Sequence, residues 1–157
     1  MSVARGTVLN VSETREGPFW EAMDGRRPPP RVAQTLGFEF RSWDSESAQL
    51  EVGFSVGEEF TNPVGNVQGG IGAAMLDDTL GPAMVASLPP GDFAPTLELK
   101  VSFLRPARPG RFVGRGRVLH RGGTVAFLAG ELHDEHGLLL ATASATVRIV
   151  RGGWQPE

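Results

Sequence analysis

Hydrophobic positions in this chain change their period along its length, and each change marks an element. From Phe38 the period is two. Phe38 and Phe40 alternate with polar or charged residues, and after a turn around Asp44–Glu46 the positions Ala48, Leu50, Val52 and Phe54 alternate with Gln49, Glu51 and Gly53. This pattern predicts a β-hairpin with one buried face. Phe60 to Gln68 reads as a loop, marked by Asn62-Pro63 and Gly65-Asn66. From Gly69 to Ala86 the only polar side chains are Asp77, Asp78 and Thr79. Such a run predicts a long helix, about Gly69 to Ser87, that is apolar all round and therefore buried. Pro89-Pro90-Gly91 stops it, and Pro82 inside it removes one backbone bond and predicts a bend. Four strand-like runs follow, over residues 96–104, 111–120, 124–133 and 138–150. The first puts Leu97, Leu99, Val101 and Phe103 on one face, and the last does the same with Leu139, Ala141, Ala143, Ala145, Val147 and Ile149. The links RPARPG, RGG and DEHG are short, which predicts that these strands are antiparallel neighbours.

Ahead of the hairpin the patterning is weaker. Residues 1–16 are polar and read as an arm, and Phe19, Trp20 and Met23 stand at the spacing of one or two amphipathic helical turns. Arg26 to Pro30 (RRPPP) is a stiff connector, and residues 31–36 predict a short helix stopped by Gly37. The expected organisation is an N-terminal arm over residues 1–30, one domain over 31–150 and a tail over 151–157. Two strands, one long helix and four strands make an α+β protein, in which an antiparallel sheet curls around the single helix.

Composition narrows the function. The 157 residues suffice for one domain with a real core, and 40% apolar with 21% charged residues is ordinary for a soluble protein. A net charge of −3 gives no electrostatic case for nucleic acid as partner. The absence of cysteine excludes disulfides, thiolate zinc sites and cysteine nucleophiles. There is no signal-peptide pattern and no apolar run long enough for a bilayer, so a cytoplasmic location with no membrane partner is expected.

The candidate chemistry lies in residues 62–78, NPVGNVQGGIGAAMLDD. A glycine pair opens the helix, and an acid follows two turns later in an apolar interior. A buried carboxylate is costly unless it is paired or has chemistry to perform.

The stretch Asn62-x6-Gly69-Gly70-x6-Asp77, followed by Thr96-LELKVSFLRPA, Gly110, GGTVAFL and GLLLATASATV, resembles the hotdog acyl-CoA thioesterases, and among them the phenylacetate-degradation (PaaI-like) branch. The resemblance covers roughly residues 36–150. It implies a hotdog fold and hydrolysis of an acyl-CoA thioester, with coenzyme A as part of the substrate and no metal or other cofactor. It implies Asp77 as general base or nucleophile on the thioester carbonyl, and the Gly69 N–H as the donor that polarises the carbonyl oxygen. Asn62 would help hold the thioester or the attacking water. Gln68, Gly70, Thr96 and Asp78 complete the expected site as substrate-binding residues. Thr96 stands where the family often has Ser or Thr near the acid, and Asp78 supports Asp77 or lies at an interface. The family's sites form between two subunits, so a homo-oligomer is implied, a dimer or a dimer of dimers. The family usually reads His-Gly-Gly where this chain reads Gln68-Gly69-Gly70, and glutamine donates a hydrogen bond but does not titrate.

The chemistry fits these residue types. A helix N-terminus offers free N–H groups and a positive dipole end to a developing oxyanion, a term worth roughly 3 kcal/mol per donor. A carboxylate in an apolar wall has a raised pKa and takes a proton near neutral pH. Asp77 is eight residues from Gly69, about 12 Å along a helix. One chain does not easily bring both to one carbonyl, whereas two antiparallel helices do.

Each of these residues also has a plain structural use. Asp77 and Asp78 can be polar positions where the helix surfaces, the glycines can permit tight packing, Asn62 before Pro63 is an ordinary turn starter, and Thr96 can simply start a strand. His133-Asp134-Glu135-His136 reads as a solvated hairpin tip rather than a metal site. Arg105, Arg108, Arg111, Arg115, Arg117 and Arg121 are either a solvated sheet edge or a perch for coenzyme A phosphates. The acyl group is expected against Met75, Leu76, Met84, Phe93 and Phe103. Two rival readings stay open: an acyl-CoA-binding hotdog protein with little or no turnover, favoured by Gln68, and a hydratase or dehydratase, disfavoured because no histidine precedes His120.

Overall fold

The computed structural model describes residues 15–153. Most of the arm expected over residues 1–16, and residues 154–157 of the expected tail, lie outside the described residues. Six antiparallel strands form one sheet: β1 (Glu39–Asp44), β2 (Gln49–Val56), β3 (Thr96–Phe103), β4 (Gly110–Arg121), β5 (Val125–Asp134) and β6 (Leu139–Arg148), in the order β1-β2-β4-β5-β6-β3. One long helix, α3 (Gly69–Ala86), packs against β2, β4, β5, β6 and β3. Two short helices, α1 (Pro18–Met23) and α2 (Arg31–Thr35), precede the sheet. The α+β architecture expected from the hydrophobic periods, a sheet around one helix, is the one observed.

The core follows from those periods. Leu50, Val52 and Phe54 of β2, Leu128 and Leu132 of β5 and Ala141, Ala145 and Val147 of β6 bury one face of the sheet against Met75, Leu76, Leu80, Ala83 and Met84 of α3. Close approach of helix to sheet needs bare backbone on the strands. A Cβ on Gly114 would strike the Thr79 side chain, and one on Gly130 would sit 2.9 Å from Leu80 Cδ2. The Thr79 hydroxyl, fully buried, donates to the Met75 carbonyl at 2.7 Å, so it adds no unsatisfied polar group to that contact. Thr79 and Leu80 thus fix the rotation of α3, and with it the direction of Asp77 and Asp78.

Three expectations need correction. First, α3 is not buried all round. Gly70 and Asp77 are exposed, and Ala73, Ala74, Asp78, Gly81, Pro82 and Val85 are only partly covered. The sheet covers one side of the helix and this stripe faces away from it. The helix continues through Pro82 to Ala86. Second, β3 and β4 are not neighbours. The link Leu104–Pro109 crosses the fold instead, held by the Val67 N–H donating to the Ala107 carbonyl at 2.8 Å, and β4 pairs with β2 while β3 pairs with β6. Third, β3 is an edge strand whose apolar residues are poorly covered, with Leu97 at 60% and Phe103 at 55% exposure. A register shift between Thr96 and Glu98 adds to this by breaking the alternation at the start of the strand.

Helix α1 is anchored by aromatic packing. Trp20 is buried, with its ring centroid 5.8 Å from Phe40 and 6.4 Å from Trp43 of β1, both edge-on, and 4.9 Å from Phe19. These contacts hold α1 beside the middle of α3. Among the described residues no helix is long and apolar enough to cross a membrane.

Candidate active site

The predicted site residues fall into two groups on two pockets. Asn62, Gln68 and Gly69 line one of about 380 Å³, together with Phe103, Arg105 and Leu140. Asp77, Asp78 and Thr96 line the other, a chamber of about 710 Å³. The structure therefore does not bring Gly69 and Asp77 together within one chain.

The first pocket is built on the N-terminus of α3. Gln68 is its N-cap; the Gln68 carbonyl accepts from Ile71 N–H at 2.8 Å and Gly72 N–H at 3.2 Å. The N–H groups of Gly69 and Gly70 have no partner among the described residues and carry the positive end of an 18-residue helix. Phe103 lies across this turn: a Cβ on Gly72 would be 3.2 Å from its ring and one on Gly69 3.4 Å. Gly70 has no neighbour within 4 Å of a built Cβ and is exposed. Asn62 Oδ1 accepts from Val64 N–H and Asn66 N–H, each at 3.1 Å, so the carboxamide oxygen shapes the loop and the amide N–H₂ is the end left for other work. The turn-starter reading of Asn62 is thus correct as far as its oxygen goes. Of the six arginines considered for phosphate, Arg105 lines this pocket, with one guanidinium N–H on the Leu139 carbonyl at 2.7 Å. Arg115 is engaged with Glu51 at 2.9 Å, and Arg121 donates to the Ser87 carbonyl at 3.1 Å.

The second pocket lies between α1 and the uncovered stripe of α3. Asp77 is exposed at its rim, and its Oδ1 accepts the Thr96 hydroxyl at 3.0 Å. The carboxyl with the buried character expected of Asp77 is that of its neighbour. Asp78 Oδ2 is sealed from solvent and has no hydrogen-bond partner among the described residues, and burial, reinforced by the charge on Asp77, pushes the Asp78 pKa up to about 6. Sequence spacing picks out the pair, but adjacent helical residues point about 100° apart, and only the packing of Thr79 decides which one turns inward.

The expected acyl-lining residues divide. Phe93 lines the chamber, Met75, Leu76 and Met84 are fully buried core under the sheet, and Phe103 belongs to the other pocket. The apolar chamber wall comes instead from Phe19 and Met23 of α1, Pro28–Pro30, Phe38 and Val85. Sequence reasoning gave α1 no part in the site. The available signal was Trp20, since a tryptophan at helical spacing in an otherwise weak segment needs a large apolar surface to dock on. The solvated turn expected at 133–136 is observed only from Asp134 on, where Asp134 Oδ1 accepts from His136 N–H and Leu138 N–H at 2.9 and 2.8 Å; His133 is instead a buried residue of β5.

Comparison with known proteins identifies the family. Residues 64–141 match the thioesterase superfamily. The medium/long-chain acyl-CoA thioesterase YigI of Escherichia coli is 31% identical over 137 residues, covering 74% of this chain and 83% of the relative. The chain belongs to the thioesterase superfamily. Among solved structures, a phenylacetic acid degradation-related protein of Ralstonia eutropha is 44% identical and superposes with a TM-score of 0.80, covering 83% of this chain and 98% of that one. The Escherichia coli PaaI protein from the phenylacetic acid degradation operon shares the fold at 19% identity, with a TM-score of 0.75 and 85% of this chain covered. The PaaI-like resemblance and the hotdog fold both stand, and at the level of this superfamily the chemistry is thioester hydrolysis.

Proposed function

We propose that this thioesterase-superfamily chain hydrolyses acyl-CoA, with Asp77 as the general base or nucleophile and the Gly69 N–H as the oxyanion donor. The observation that carries the reading is the Thr96–Asp77 hydrogen bond at 3.0 Å, which holds a solvent-accessible carboxylate at the mouth of an apolar chamber. The acyl-CoA activity named for the Escherichia coli relative supports the substrate class. In this reading Asp77 takes a proton from water as the water oxygen bonds to the thioester carbon, or bonds to that carbon itself. The carbonyl electron pair moves to oxygen, where the free N–H groups at the start of α3 stabilise it. The carbonyl re-forms as the C–S bond breaks, and the coenzyme A thiolate leaves and takes up a proton. Where Asp77 is the nucleophile, the acyl group is left on its carboxylate as an anhydride, which water then hydrolyses to the free acid and the aspartate. The reading needs no metal or further cofactor. Arg105, beside Asn62 and Gln68, is the arginine best situated for the coenzyme A phosphates.

Because Gly69 and Asp77 line different pockets, the reaction needs two subunits, each supplying one half. The exposed apolar edge of β3 supports such an assembly. The test is Asp77→Asn, assayed by thiol release across an acyl-CoA panel. Activity should fall by about 10²–10⁴-fold while the oligomer stays intact by light scattering. Near wild-type turnover with a good substrate would remove Asp77 from the mechanism. Gln68 favours a second reading, acyl-CoA binding without efficient turnover. Tight binding of panel members with no thiol release from the wild-type protein would select it.

A further inference from the structure

Gly69 and Gly72 stand about one turn apart at the start of α3, where glycine is less stable than alanine by about 0.5–1 kcal/mol. One side chain accounts for both. Apart from the helix itself, the nearest atoms to a Cβ at either position belong to Phe103: Cε1 at 3.2 Å from Gly72, and Cζ at 3.4 Å and Cε2 at 3.5 Å from Gly69. Phe103 thus reaches from the end of β3, opposite Ala141, and lays the far edge of its ring on the first turn of the helix. Core packing does not explain this ring. It is more than half exposed, and it lines the pocket of Asn62, Gln68 and Gly69. Cα–Cβ bonds in a helix tilt toward its N-terminus. A ring edge that meets these Cβ positions therefore flanks the end of α3 where the Gly69 and Gly70 N–H groups have no partner among the described residues. A free N–H open to water is already bonded to it, so an oxyanion placed there gains little. The same donor beside an apolar wall acts at a lower local dielectric and gains more.

We propose that Phe103 is a positioning residue of the oxyanion site: its ring, seated on Gly69 and Gly72, keeps water from one flank of the free Gly69 and Gly70 N–H groups and holds the turn that carries them. The inference rests on the thioesterase reading of these N–H groups and deepens it by adding a residue that acts through them. It gives Phe103 a part other than the acyl contact expected from its place in the sequence. Shape and polarity can be separated at this position. Methionine and glutamine side chains have about the same length, and both extend from β3 toward the helix, but only methionine brings an apolar end to the donors.

The experiment compares wild type with Phe103→Met, Phe103→Gln and Phe103→Ala on octanoyl-CoA and phenylacetyl-CoA, with molecular mass by light scattering for each. In Phe103→Gln and Phe103→Ala, kcat should fall at least about tenfold, a part of the roughly 10²–10³-fold that loss of a whole donor costs. KM should change less than about threefold. Phe103→Met should stay within about threefold of wild type in both. Equal losses of kcat in Phe103→Met and Phe103→Gln would overturn the proposal, because the ring would then only fill space. A raised KM with unchanged kcat would also overturn it, by making the ring a substrate contact. So would a changed mass in both Phe103→Met and Phe103→Gln, which would assign the ring to contact between copies of the chain. A second readout needs no turnover. Analogues of the two acyl-CoAs with CH₂ in place of the thioester sulfur keep the carbonyl and have no thiol to release. Labelled with carbon-13 at that carbonyl, they should show a downfield NMR shift on binding wild type and Phe103→Met, and a smaller shift on binding Phe103→Gln. A protein with this pattern that releases no thiol from either acyl-CoA would refute the thioesterase reading and leave the role of Phe103 standing. A protein that hydrolyses both, with neither kcat nor the carbonyl shift dependent on position 103, would do the reverse.

Discussion

Asp78 carries an electrostatic strain that can be measured without any substrate. Its carboxyl is desolvated, sits beside the Asp77 charge and has a pKa near 6 in the fold against 3.8 for the free side chain. A raised carboxyl pKa means that the folded protein holds a proton the unfolded chain gives up, so the charged form destabilises the fold at neutral pH. The sign follows directly. Above about pH 6 the full cost is present, and it fades as pH falls through 6 toward 3.8, where both states are protonated. Asp78→Asn should therefore raise stability by about 1–2 kcal/mol at pH 8 and by little at pH 4, read from urea denaturation of both proteins at each pH. A gain that is equal at both pH values would mean that the carboxylate is not the source. The sequence marks this residue only as one of two adjacent acids in an apolar helix. Which of them faces inward depends on Thr79 and Leu80 seating against Gly114 and Gly130, strands far away in the chain. The same holds for Asn62, whose turn-forming oxygen is legible in Asn-Pro, while its pocket position comes from the crossing link at Ala107.

At the scale of elements, the hairpin, the long helix and the β4–β5–β6 meander are legible because each declares its own period and its own turns. The placement of β3 is not. The link RPARPG is short enough for neighbouring strands, but it carries two prolines and none of the Asn-Gly or Asp-Gly pairs that close a tight hairpin. It therefore crosses the fold as an extended segment. The spacing of Phe19, Trp20 and Met23 shows helix α1 but not where it docks: six residues do not say which surface they cover, and that is set by Trp20 packing on β1. Helix α3 allows a test at this scale. Gly81 directly precedes Pro82 inside the helix, and a Cβ before a proline crowds the proline ring when the backbone is helical. Gly81→Ala should therefore fall short of the usual gain of about 0.5–1 kcal/mol for replacing a helical glycine, and adding Pro82→Ala should restore that gain, measured by chemical denaturation at pH 7. A full gain from Gly81→Ala alone would show that the proline does not constrain this turn.

For the whole molecule, the division of the site residues between two pockets has a consequence that single substitutions do not reach. One pocket holds Asn62, Gln68 and Gly69, and the other holds Asp77, Asp78 and Thr96. Within a rigid α3 the two ends cannot approach each other, since the helix fixes about 12 Å of rise between positions 69 and 77. In the proposed mechanism, a symmetric pair of chains would resolve this by matching one end of each helix with the middle of the other, which would create two equivalent sites. A mixed dimer then distinguishes shared from private sites. Asp77→Asn and Asn62→Ala chains, co-expressed with different tags and purified as the heterodimer, each lack one half. If sites are shared, one site of the heterodimer takes both intact halves and the other takes both damaged ones, so the sample should show about half the wild-type kcat per dimer. If each chain completes its own site, both sites are damaged and activity stays at the level of the parent variants. Thiol release from the heterodimer, beside both parent homodimers, reads the difference directly. An active monomer by light scattering at assay concentration would also exclude sharing, and α3 would then have to present Gly69 and Asp77 to different parts of one bound acyl-CoA.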